Sequence, residues 1–208
     1  MIQMTQMTQP RAEVSMTSQI PTMKIPAMKI PAMKIPDLIK NLRTIVAAGP
    51  IGSGEIAEIQ NLVRSSLADM RAIGLDTKHD GPGRYLLYKD QDFGFVIMML
   101  VWGQGDKTPI HDHGTWGVEA VLKNTIAVTS YTQCDVDPEE IAQIILPEDS
   151  VVFVLPPEFD RHVVEHHAGD QAISIHVYGK ELLSARCFVP GDGFIDQPLT
   201  AKALPLDI

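Results

Sequence analysis

The stretch GQGDKTPIHDHGTWGV, residues 103–118, decides how this chain is read. It carries His111 and His113 as a His-x-His pair. Side-chain direction alternates along a strand, so both imidazoles point to one face and Asp112 to the other. A glycine turn leads into the pair. A third histidine, His162, follows the apolar run and proline turn SVVFVLPPEFD (150–160). Three neutral imidazoles from neighbouring strands make a facial set that binds a divalent metal and leaves positions open for substrate and oxygen or water. His-x-His alone is a weak signal, because surface histidines pair by chance. The turn before the pair and the strand before His162 give it weight.

A second patterned stretch is QAISIHVYG, residues 171–179. Period two puts Ile173, Ile175 and Val177 on one face and Ser174, His176 and Tyr178 on the other. Three polar side chains facing a barrel interior need partners. They can satisfy one another, or, beside a three-histidine metal, form a relay in which serine orients the imidazole and the imidazole the tyrosine hydroxyl.

The rest of the chain supplies the frame. Apolar residues at helical spacing run from Leu38 to Val46 and from Ile56 to Met70, with AAGPIGSGE between them and Ser53 or Gly54 opening the second helix. From about Tyr85, β-type runs recur at 85–89, 93–102, 116–122, 125–131, 140–146, 150–155, 162–166, 171–178 and 184–189. Short strands after a helical start indicate a mainly β fold, an antiparallel barrel with the N-terminal helices packed outside it. Residues 37–208 read as one domain, helical over 37–75 and barrel over 84–189. A tail from Pro190 extends over the surface.

The chain has 208 residues, 45% of them hydrophobic, and a mean hydropathy of +0.03, which suits one soluble domain with an adequate core. Its formal charge is −9, and no basic run occurs in the body, which argues against nucleic acid and anionic membrane as partners. Cys134 and Cys187 have no CxxC spacing, so neither a disulfide framework nor a structural zinc site is indicated, and a reducing cytoplasm is the expected setting. The longest apolar run, FGFVIMMLVWG, is too short to span a bilayer. Residues 1–36 differ in kind. Met-Lys-Ile-Pro recurs three times with proline every fifth residue, which forbids a continuous helix and reads as a disordered extension or as the result of an upstream start codon.

Taken together, these motifs resemble the cupins: Gly105, five residues, then His111-x-His113 fits their first metal motif. Pro157, four residues, then His162 fits the second, with Phe159 where glycine is usual. Within the cupins, residues 84–189 are similar to the bacterial thiol dioxygenases, the cysteine dioxygenase and 3-mercaptopropionate dioxygenase group, through RYLLY, VWGQGDKTPIHDHGTWGV, the His162 segment and ISIHVYG. The resemblance implies a double-stranded β-helix (jelly-roll) barrel. It also implies non-haem Fe(II) held by His111, His113 and His162, with Ser174, His176 and Tyr178 as the outer row and Arg84 binding the substrate carboxylate. The implied reaction adds both atoms of O2 to the sulfur of a small carboxylate-bearing thiol (cysteine-like, 3-mercaptopropionate or mercaptosuccinate), giving a sulfinate. Gly117 stands where mammalian members carry a cysteine, so no Cys–Tyr crosslink is expected.

Departures from the pattern keep other readings open. Cys187 stands where mercaptopropionate-type relatives have arginine, with Arg186 beside it, and His166 replaces a frequent asparagine. Glu119 resembles the acidic ligand of ordinary cupins but is offset from the usual spacing, so it is set aside as a ligand. Trp102 and Trp116 are expected to pack, Trp116 also lining the pocket. His79, His166 and His167 are expected at the surface. The alternatives are a cupin oxidase or isomerase using Mn or Zn, and a metal- or ligand-binding cupin without activity.

Overall fold

A computed structural model describes residues 32–206. The first two Met-Lys-Ile-Pro repeats lie outside it, whereas the third (33–36), expected to belong to a disordered extension, runs into the first helix and buries Ile35. Two helices open the described chain, α1 (Ile35–Ala48) and α2 (Ser53–Ala72). α1 starts two residues ahead of the helical start expected at residue 37 because Asp69 of α2 caps it, accepting the Ile35 N–H (3.1 Å) and pairing with Lys34 Nζ (2.7 Å). α2 opens at Ser53, with the Glu55 carboxylate reaching back to the Gly52 N–H at 3.0 Å.

Ten strands follow: β1 (Gly83–Lys89), β2 (Val96–Trp102), β3 (His111–Asp112), β4 (Gly117–Tyr131), β5 (Glu140–Leu146), β6 (Val151–Val154), β7 (His162–Tyr178), β8 (Ser184–Val189), β9 (Gly193–Pro198) and β10 (Lys202–Ala203). They form one sheet, β10-β1-β2-β7-β3-β8-β9, with β4 bridging β5, β6 and β7, and every pairing except β1–β10 is antiparallel. This is a mainly β, jelly-roll-type sheet with two helices packed outside, the fold class expected from the sequence.

Register sorts the two faces. Val101 opposes Ile173 and Val118 opposes Val177. Tyr85, Leu87, Ile97, Met99, Val101, Val118, Ala120, Leu122, Ile173, Ile175 and Val177 therefore share one face, in one core with Leu38, Leu42, Ile59, Val63 and Leu67 of the helices. The alternate residues point into the barrel, among them Ser174, His176 and Tyr178.

Two features differ from the sequence reading. The runs 116–122 and 125–131 are one strand, β4, and 162–166 and 171–178 are one strand, β7, so His166 and His167 sit on a strand rather than in a loop. Both strands bend at the same level. Asn124 takes a left-handed φ of 59° opposite Gly169 (φ 94°), where a Cβ would lie 2.3 Å from the Asn124 side chain. The glycine and asparagine that look like turn residues make a bulged corner inside a continuous ladder. The tail is extended but also paired: β9 lies on β8, β10 on β1, and Leu204 and Leu206 donate N–H groups to Leu86 and Leu87.

Candidate metal centre

The turn through Pro109 delivers His111 onto the two-residue strand β3, directly opposite His162 on β7. His113 follows one step beyond, and the three rings form a near-equilateral cluster with centroids 4.7–4.9 Å apart. One nitrogen from each lies within 4.8 Å of the others. Asp112 points away, toward Arg161 (3.7 Å) and Arg186 (3.3 Å). The period-two reading of His-x-His holds.

Hydrogen bonds fix which nitrogens face inward. His111 Nδ1 lies 3.1 Å from the Pro109 carbonyl, which can only accept, so Nδ1 carries the proton and Nε2 the lone pair. His113 Nδ1 lies 2.9 Å from Asp160 Oδ1, with the same consequence. Asp160 also accepts the backbone N–H groups of His113 (3.0 Å) and Gly114 (2.9 Å). Burial alone would raise its carboxyl, but His113 and these N–H groups hold it below the ordinary value. Burial lowers His162 to about 4, and burial with the neighbouring His162 and His113 holds His111 well below 6.5. Both imidazoles are therefore neutral at physiological pH, the form that binds metal. His162 Nε2 is buried with no hydrogen-bond partner, as expected of a nitrogen kept for a cation. The donor set fits a divalent metal ion.

The inward row on β7 is fully buried. Trp102 Nε1 donates to Ser174 Oγ at 2.8 Å. Because indole only donates, Ser174 is free to donate to His176 Nε2 (2.7 Å). His176 Nδ1 then carries its proton toward the Tyr178 oxygen (2.8 Å), and the Tyr178 hydroxyl donates to Glu119 Oε1 (3.0 Å). Burial and Glu119 push the Tyr178 hydroxyl well above 10, so it keeps its proton. Glu119 opposes His176 across β4–β7 and is 2% exposed. Burial alone would raise its carboxyl, but the His176 ring beside it holds it well below the ordinary carboxylate value.

A cavity of about 130 Å³ reaches the cluster. Arg84, His111, His113, Tyr178, Leu182 and Cys187 are among its walls. Arg84 meets only weak partners, the Leu182 carbonyl at 3.5 Å and Met98 Sδ at 3.6 Å, and its Nη1 is buried without one. Burial lowers its pKa, with Tyr178 and Glu181 opposing, and the guanidinium stays charged. Arg186 lies on the other face of β8, stacked over Phe194, while Cys187 faces His111. Gly117 sits against the Tyr178 ring, where even a Cβ would approach Cδ1 to 2.6 Å.

Sequence reasoning brought the three histidines, the inward row and Arg84 together. It missed Asp160, whose only sequence signal is its place two residues before His162, and it set aside Glu119. Trp102 packs as expected and also feeds the relay, whereas Trp116 packs against the helix-side core and is not among the cavity walls. His79 is half-buried and accepts the Gly81 N–H at 3.3 Å.

No family model matches the chain. Among solved structures it is similar to the cupin domain of Schizosaccharomyces pombe Cnp3 (13% identity, 47% of this chain and 60% of that one, TM-score 0.37). It is also similar to an RmlC-like cupin protein from Ralstonia eutropha (17% identity, 54% and 64%, TM-score 0.38). A third similar structure is an oxalate oxidase (14% identity, 42% and 42%, TM-score 0.36). The chain spans less than two thirds of the length of each. No described helix is long and apolar enough to cross a membrane.

Proposed function

We propose that the protein is a thiol dioxygenase, using non-haem Fe(II) to add both atoms of O2 to the sulfur of a small carboxylate-bearing thiol and release a sulfinate. One observation carries the reading. Arg84, half-buried with its Nη1 buried and without a partner, shares a small cavity with His111, His113 and Tyr178. The cavity is far below the ~300–1,000 Å³ of pockets for drug-sized ligands, which suits a substrate of a few heavy atoms. Arg84 pairs with the substrate carboxylate and fixes the distance from carboxylate to sulfur. His111, His113 and His162 would hold the divalent metal, which when bound would supply the positive charge that favours the thiolate and the redox chemistry with dioxygen. Pro109 and Asp160 hold two of those imidazoles in the ligating tautomer. Tyr178 presents a protonated hydroxyl at the cavity wall, with Glu119 as its resting partner.

Oxygen uptake by the Fe(II)-loaded protein across cysteine, 3-mercaptopropionate, mercaptosuccinate and cysteamine tests this. Uptake with the carboxylate-bearing thiols and little with cysteamine is expected, and no uptake with any thiol overturns it. A second reading has Glu119 behind it. A carboxylate beside the histidines suits a cupin oxidase or isomerase acting on a small acid with Mn or Zn, and that reading predicts turnover of an acid lacking sulfur.

A further inference from the structure

We infer that residues 23–31, the first two Met-Lys-Ile-Pro repeats, dock into an apolar groove that runs from α2 across β6 to β5, on the flank of the three-histidine cluster. The inference is independent of which metal or substrate that cluster takes.

The groove is an open strip of apolar surface. Its volume is about 430 Å³, and Gln60, Ile141, Ile144, Val152, Phe153 and Phe159 are among its walls. Ile141 is 64% exposed and Phe159 60%, with Ile144 and Phe153 exposed beside them. β5 and β6 each pair only with β4, so the outer edge of each strand lacks a partner among the described residues. Apolar side chains on unpaired strand edges are ordinarily covered.

The third repeat shows how this sequence unit docks. Met33 packs against the helix-side core, Ile35 is 2% exposed, and Lys34 pairs with Asp69 at 2.7 Å. The apolar residues are covered while the lysine between them meets a carboxylate. Residues 23–31 repeat the unit twice and carry Lys24 and Lys29 with no acidic residue. The groove offers the matching chemistry. Glu158 is one of its walls, and Glu58 on α2 and Glu139 and Glu140 at the start of β5 lie near it. All four are exposed, and none forms a salt bridge with Lys or Arg among the described residues.

Reach is sufficient. The Met33 N–H donates to the Ser65 carbonyl at 2.8 Å, so the described chain begins beside α2. Gln60 lies about 8 Å back along the axis of that helix, which is about 10–12 Å across. Extended, residues 23–31 cover about 30 Å. A second copy fits the groove less well. β5 laid antiparallel on its own copy brings Asp137, Glu139 and Glu140 of one chain toward Glu148 and Asp149 of the other, and like charges across strands repel. Asp160 and His162 also line the groove, so the docked repeats cover that flank of the cluster.

The test uses the purified full chain with the photo-crosslinker p-benzoylphenylalanine in place of Ile30. After irradiation in dilute solution, digestion and mass spectrometry should place the crosslink within one chain, on segment 139–159 or beside Gln60. Crosslinks between chains would assign the groove to a second copy and overturn the inference. Crosslinks confined to other segments, or none, would overturn it as well. A second measurement perturbs the repeats and leaves the described fold untouched. In full-length protein carrying Lys24→Glu, Lys29→Glu and Ile30→Asp, amide hydrogen exchange along β5 and β6 should speed up about threefold or more. α1 and β2 should keep wild-type rates. Unchanged exchange in β5 and β6 would refute the docking.

Discussion

The Tyr178 hydroxyl donates a 3.0 Å hydrogen bond to Glu119 Oε1, which gives the buried polar row on β7 a single direction. Tyr178→Phe removes that donor without changing the ring. The variant should keep its fold and its metal and turn over roughly 10- to 100-fold more slowly, as changes to groups supporting a metal site commonly do. Metal analysis and steady-state kinetics read this out, and unaltered kinetics would remove Tyr178 from the mechanism.

Replacing one histidine of the cluster breaks a minimal ligand set. His111→Ala and His162→Ala should lose metal and activity while keeping the far-ultraviolet spectrum of the wild type, because the helix-side core does not include them. A purified variant that retains stoichiometric metal and full activity would strike that residue from the ligands.

Arg84 is the guanidinium at the cavity wall. A buried hydrogen bond to a charged group is worth about 1.5–3 kcal/mol, and ~1.4 kcal/mol is a factor of ten. Arg84→Gln should therefore lower catalytic efficiency on carboxylate-bearing thiols roughly 10- to 100-fold and barely change it on cysteamine. Equal losses on both would show that Arg84 supports the fold instead. Since Arg186 faces away from the cavity, a preference for a dicarboxylic thiol is not expected.

Asp90 ties α1 to the barrel away from the metal. Its Oδ2 accepts from Arg43 Nη1 (2.6 Å) and the Tyr88 hydroxyl (3.0 Å), and its Oδ1 accepts the N–H groups of Asp92 (3.0 Å) and Phe93 (2.9 Å). Burial would raise its carboxyl, but these donors hold it below the ordinary value. The folded state thus favours the ionised form. The resulting stability is present above the unfolded pKa of about 3.9 and is lost as pH falls through the lower folded value. Asp90→Asn should cost about 1–3 kcal/mol at pH ~7 and less at pH ~3. Denaturant unfolding at both pH values measures it, and an equal cost at both would refute the assignment.

The parts of the site visible in the sequence are those set by local period. His111 and His113 share a face because one residue separates them, and Ser174, His176 and Tyr178 alternate along one strand. Glu119 depends on something longer in range. It faces His176 only because β4 and β7 pair in one register, which spacing from His113 does not reveal. Asp160 likewise acts on a residue 47 positions away. The β4 and β7 corner was misread for a related reason: Asn124 and Gly169 carry turn chemistry, but each is held in a strand by the other. The helices were legible because their apolar stripes are long, and α1 begins early because of Asp69, again a partner distant in sequence.

The central claim is that both atoms of dioxygen reach the sulfur of a small thiol at this site. Fe(II)-loaded protein turning over 3-mercaptopropionate or cysteine under dioxygen labelled with heavy oxygen tests it directly, with the product weighed by mass spectrometry. The account predicts a sulfinate carrying both labelled atoms. A disulfide as sole product, or a sulfinate with label in at most one position, would contradict it.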